Sequence, residues 1–134
     1  MTLTDIDIDN WSRRGAYDLY RRADFPFFSL TTEIDVTAFM QNARKSGIPH
    51  FNFTMYSLMR AVNEIEELRT RFEGNSVQIS DITSPSFTVP TGDKDFAFCD
   101  VEYDANWEIF NSRCLANIEA AKKQTQLLET APSR

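Results

Sequence analysis

Apolar positions recur at helical spacing over residues 50–69, where Met55, Leu58, Met59, Val62 and Ile65 share one face. Phe51, Phe53 and Ala61 carry the apolar surface around the first two turns, while Glu64, Glu66, Glu67 and Arg69 gather at the far end. The pattern predicts a central helix, deeply buried at one end, that needs sheet or helix on most of its sides.

The remaining segments read as that packing. Ile alternates with Asp and Thr over residues 1–9, a short edge strand, and Asn10 is a candidate N-cap for a helix over 11–22. Pro26 ends this region. Phe28, Leu30, Thr32 and Ile34 then alternate with Ser29, Thr31, Glu33 and Asp35, the pattern of a half-buried strand. Asp35 or Thr37 caps a short helix through Phe39 and Met40, closed by Gly47 and Pro49. After a turn at Glu73, Gly74 and Asn75 come three short strands: one through Val77, Ile79 and Ile82, one over 86–89 and one over 96–103. The last places Ala97, Cys99 and Val101 on one face and Phe96 and Phe98 on the other. Asp104 or Asn106 caps a final helix with Trp107, Phe110, Cys114, Ile118 and Ala121 on one stripe, and the pattern fades from Thr125 onward. Helix, strand, two helices, three strands and a helix predict one layered α/β (α+β) domain over residues 1–134.

Composition narrows the function. A hydrophobic content of 42% and an aromatic content of 13% describe a folded domain, and eleven Phe imply a thick core or aromatic walls around an apolar ligand. A net charge of −6 without a basic stripe argues against nucleic acid and anionic membrane as partners. No apolar run is long enough for a membrane span and the polar start is unlike a signal peptide, so a cytoplasmic protein is expected. Cys99 and Cys114 lack metal spacing and a neighbouring base, and they read as reduced core thiols. Asp93, Asp95, Asp100, Glu102 and Asp104 lack the spacing of a calcium loop and read as a solvated turn; no metal is expected.

Four linked segments carry a resemblance. NWSRRGAYDLYRRADFPFFSLTTEID, FNFTMYSLMRAVNEIEELR, SPSFTVPTGDKDFAF and the Tyr103 to Phe110 spacing follow one another as in the N-terminal portion of chloramphenicol acetyltransferases, over nearly all of residues 6–123. The resemblance implies a two-layer α/β (α+β) sandwich, with a mixed or antiparallel sheet packed on helices, and an acetyl-CoA-dependent O-acetyltransferase, a homotrimer with sites between subunits that confers antibiotic resistance. In that family a His of a His-His-x-x-x-Asp-Gly motif deprotonates the acceptor hydroxyl, and a Ser hydroxyl helps hold the oxyanion. The motif is absent from these 134 residues, and the only histidine, His50, falls at the start of the central helix. The 134 residues are therefore expected to lack the catalytic base, as one part of an enzyme, a genetic truncation, or a half-protein with another task.

By the same resemblance, Arg13 supports the catalytic loop through an ion pair with the motif Asp, while Arg14 is a surface residue. Tyr20, Phe28, Thr88, Phe96 and Phe98 match acceptor-binding positions; Tyr20 reads equally as a helix core residue, and the strand positions as ordinary sheet residues. Phe25 and Phe27 depart from the family's usual residues, which leaves the acceptor open. The alternatives are a non-catalytic binding or oligomerisation remnant of the fold and an acyltransferase for another hydroxyl acceptor.

Overall fold

The computed structural model describes residues 1–92 and 95–124. Its elements are β1 (Leu3–Asp5), a 3₁₀ turn (Ile8–Asn10), α1 (Arg14–Tyr20), α2 (Thr37–Lys45), α3 (His50–Glu64), α4 (Glu66–Arg69), β2 (Thr70–Glu73), β3 (Ser76–Ser80), β4 (Ser86–Pro90), β5 (Phe96–Asp100) and α5 (Trp107–Lys122). Two antiparallel sheets result, one in the order β1-β3-β2 and one formed by β4 and β5. The architecture is α+β, with helices packed on antiparallel sheet, as the pattern predicts.

The core lies where α5 packs on the β4–β5 hairpin and α3 packs on α5. Alternation along β5 turns Ala97 and Cys99 inward with Val101, against Phe110, Cys114 and Ala121 of the α5 stripe. Asn106 starts α5: its side-chain oxygen accepts from the backbone N–H groups of Glu108 and Ile109, so of the two candidate caps it is Asn106 that acts. Gly47 closes α2 with φ 65, and the Ile48 N–H reaches Ala43 O at 2.9 Å, a left-handed closure that glycine adopts without strain. In the β2–β3 hairpin, Gly74 at φ 57 takes the first turn position and Asn75 the second.

The structure corrects four readings. Residues 28–34 form no strand, and Phe28, Leu30 and Ile34 stand 91%, 85% and 72% exposed. A strand satisfies its N–H and C=O groups only beside another strand, and none among the described residues lies beside this one. The first helix is shorter than 11–22, because the chain enters it through the 3₁₀ turn; Asp7, not Asn10, caps that turn, accepting from Asp9 N. The central helix breaks at Ile65, whose backbone is extended, and the chain turns through α4 into β2, a strand the pattern missed. Its buried face is also rotated: Asn52, Tyr56 and Met59 point inward, while Leu58 and Ile65 face outward.

That rotated face is polar for physical reasons visible in its partners. Buried Asn52 donates to Asn111 Oδ1 of α5 at 2.8 Å, and the Tyr56 hydroxyl donates to Ala105 O at 2.6 Å. Tyr56 lies within ring-contact distance of Phe53, Tyr103, Trp107 and Phe110. Polar groups at buried positions are tolerated here because each finds a hydrogen bond.

Candidate functional site

The outward face of the β4–β5 hairpin assembles three of the expected acceptor residues. Thr88 lies directly opposite Phe98, and Pro90 opposite Phe96, so their side chains leave the same side of the sheet. The rings of Phe96 and Phe98 meet edge to face at 5.8 Å. Both remain more than a third exposed, whereas their neighbours Ala97 and Cys99 are buried. The result is an apolar aromatic surface with one hydroxyl beside it, suited to an aromatic ligand that also offers a polar group.

Tyr20 and Phe28 stand exposed elsewhere, Tyr20 at the end of α1 and Phe28 in the segment between α1 and α2 that forms no helix or strand. Phe25 and Phe27 pair with each other at 5.1 Å, and no ring of this group stacks on Phe96 or Phe98 among the described residues.

Arg13 forms an ion pair with Glu67 of α4, a partner fifty-four positions away that no local pattern announces. Both side chains are about half exposed, so this pair positions α1 against α4 more than it stabilises the fold. Arg14 pairs with Asp9 at 2.5 Å and Asp18 at 3.5 Å on the surface. His50 sits at the start of α3, as its place in the sequence suggests, and its carbonyl accepts from Thr54 Oγ1 at 2.8 Å.

A cleft of about 370 Å³ opens between the end of α3 and the segments after β3 and β5, lined by Arg60, Asn63, Glu64, Asp81, Ile82, Tyr103 and Ala105. None of the expected site residues lines it. Arg60 there is tied to Glu64 at 3.3 Å, which raises its pKa further.

The acidic stretch is partly neutralised: Arg113 lies 3.7 Å from Glu102 and 3.6 Å from Asp104, while Asp93 falls outside the described residues, as does the tail from Thr125. Among the described residues no group of three or more His, Cys, Asp or Glu can hold a metal, and no helix is long and apolar enough to cross a membrane.

Cys99 and Cys114 are free and buried in the α5–β5 core, where sequence placed them. Burial pushes the Cys99 thiol up, and pushes Cys114 up to about 11, with the neighbouring Cys99 adding to the latter. The folded state thus prefers the neutral thiol. Its contribution is complete below the ordinary thiol pKa near 9 and is lost as pH rises towards 11. Urea unfolding followed across that window is expected to lose stability with a slope of up to about 1.4 kcal/mol per pH unit. The slope should flatten in Cys114→Ala; an unchanged slope would assign the loss to other groups.

The fold matches a solved chloramphenicol acetyltransferase with a TM-score of 0.86 at 24% sequence identity, covering 93% of this chain and 59% of that one. The family model for chloramphenicol acetyltransferase matches residues 1–132, and the chain belongs to that family. It is similar to chloramphenicol acetyltransferase 3 of Escherichia coli, 29% identical over 128 residues, which are 95% of this chain and 60% of that protein. It also resembles chloramphenicol acetyltransferase 2 of Escherichia coli, 36% identical over 89 residues (66% of this chain and 42% of that protein). A chloramphenicol acetyltransferase of Streptomyces acrimycini is 31% identical over 112 residues, 82% of this chain and 51% of that one. The chain thus spans about half the length of the curated relatives it matches.

Proposed function

We propose that these residues form the acceptor side of an acetyl-CoA-dependent O-acetyltransferase that acts on chloramphenicol or a similar hydroxyl compound. The observation that carries the reading is the family match over residues 1–132, with Thr88, Phe96 and Phe98 brought to one open face. Phe96 and Phe98 stack on the apolar part of the acceptor, the Thr88 hydroxyl meets a polar group, and Tyr20 and Phe28 complete the wall in the assembled enzyme. Arg13 supports the loop that bears the general base. That base, a His of a His-His-x-x-x-Asp-Gly segment, is absent from these 134 residues. It takes the acceptor's hydroxyl proton as the oxygen attacks the acetyl thioester; the tetrahedral oxyanion collapses with release of the coenzyme A thiolate. Cytoplasmic location and a homotrimer with sites between subunits belong to the same reading, and no metal takes part.

The test is acetyl-CoA-dependent acetylation of chloramphenicol by the whole gene product and, separately, by the 134-residue chain of verified intact mass. Turnover is expected from a gene product that carries the His-His-x-x-x-Asp-Gly segment and none from the 134 residues alone. Turnover by the 134 residues would overturn the assignment of the base. A whole gene product that binds chloramphenicol without acetylating it, or any other hydroxyl acceptor, would leave a binding module of the same fold.

A further inference from the structure

The outward side of the β4–β5 hairpin continues past Thr88 and Phe98 to one more pair. Ser86 lies opposite Asp100, so these two side chains leave the same side of the sheet as Thr88, Pro90, Phe96 and Phe98. Exposure alternates to match: along β5, Phe96, Phe98 and Asp100 are exposed while Ala97 and Cys99 are buried. Along β4, Ser86, Thr88 and Pro90 are exposed and Val89 is buried. Successive same-side positions on a strand lie about 7 Å apart. The face therefore runs from apolar at Pro90 and Phe96, through the Thr88 hydroxyl and Phe98, to a hydroxyl and a carboxylate at Ser86 and Asp100. Asp100 is the one charge among these six side chains. Its carbonyl oxygen accepts from Asn117 Nδ2 of α5 at 2.7 Å, whereas its carboxylate has no partner among the described residues. Arg113 pairs with Glu102 and Asp104 rather than with Asp100. A free carboxylate beside an aromatic surface favours a group that donates hydrogen bonds and carries positive charge.

We propose that Asp100 sets the acceptor preference, selecting aromatic hydroxyl compounds that also bear a protonated amine. The rings of Phe96 and Phe98 take the aromatic part, and the Asp100 carboxylate, with the Ser86 hydroxyl opposite it, receives the ammonium group. The inference rests on the acetyl-transfer reading, in which this face is the acceptor surface, and adds the charge that the acceptor carries. The same carboxylate disfavours acceptors that carry an anion, because it would face them with a like charge. The net charge of −6 acts in the same direction by drawing cations towards the chain. Asp100 has no part in the chemical step: it takes no proton from the acceptor hydroxyl and forms no bond to the acetyl group. Its role is to discriminate between acceptors.

The test compares chloramphenicol, which is neutral, with the primary amine left when its dichloroacetyl group is removed. That amine keeps the nitrophenyl ring and both hydroxyls. Binding of each compound to the whole gene product is measured by calorimetry, and acetylation by release of the coenzyme A thiol. Both are repeated in Asp100→Asn and Asp100→Glu. Asp100→Asn is expected to weaken the amine at least about fivefold more than it weakens chloramphenicol, in Kd and in kcat/KM alike. Asp100→Glu should keep most of the preference, and added salt should narrow it. Residue 100 is exposed and Asn matches Asp in shape, so helical circular dichroism should not change. An Asp100→Asn effect that is equal for the two compounds, or absent, would overturn the proposal. So would binding of neither compound by the unsubstituted protein. Coenzyme A release without any dependence on Asp100 would overturn this inference and keep the acetyl-transfer reading. Asp100-dependent binding of the amine with no coenzyme A release would do the reverse.

Discussion

Phe110→Ala is expected to destabilise the chain by about 3–5 kcal/mol, the largest effect of any single truncation here. Phe110 is fully buried and is the largest side chain in that state. Its ring lies 5.7 Å from Tyr56 of α3 and 5.9 Å from Tyr103 beyond β5, so it joins helix, helix and sheet at one point. Truncation leaves a cavity walled by aromatic rings, and rings pinned by the Tyr56 hydrogen bond to Ala105 relax poorly into it. A domain of this size has about 5–15 kcal/mol in total, so the variant should be partly unfolded at room temperature. Urea titration with Trp107 fluorescence, beside the same core, reads the change. A loss below about 1.5 kcal/mol would mean that the α3–α5–β5 junction is not close-packed.

Asn63→Ala is expected to cost about 2–3 kcal/mol although the residue is only partly buried. Its side-chain amide donates to Met59 O and Thr83 O, each at 2.8 Å, and its oxygen accepts from Thr83 N at 2.7 Å. One side chain therefore stands in for the strand pairing that the chain lacks between the end of α3 and the entry to β4. Alanine leaves both backbone groups of Thr83 unpaired, and a buried unpaired group costs more than the hydrogen bond itself gains. The segment it holds leads directly into Thr88 and the acceptor face. Faster amide exchange at Thr83 should accompany the loss of stability, with Phe110 contacts intact. Stability loss without faster exchange at Thr83 would place the effect elsewhere. Asn63→Asp keeps the acceptor, loses both donations and sets a carboxylate beside Glu64, and should recover little.

Thr88, Phe96 and Phe98 were singled out by resemblance; that their side chains share a face follows from the hairpin, where alternation and a tight turn dictate which side chains leave the same side. Arg13 was singled out by resemblance, but its contact with Glu67 depends on how α1 and α4 meet, and nothing local encodes that. The cleft at Arg60 and Tyr103 is similarly built from three distant segments.

By itself, the sequence determined the outer plan: the family, the edge strand at the start, the hairpin with its buried and open faces, and α5 with its buried stripe and a cap at Asp104 or Asn106. Each depends on short-range periodicity or on a hydrogen bond made within a few residues. Tertiary structure alone decided that α3 turns Asn52 and Tyr56 inward and breaks at Ile65, since burial of those polar groups depends on Asn111 and Ala105 waiting across the core. It also decided that residues 28–34, whose pattern is that of a strand, stay unpaired. A periodicity of two records which side chains a strand would bury, whereas its backbone becomes sheet only when another chain segment supplies the opposing hydrogen bonds.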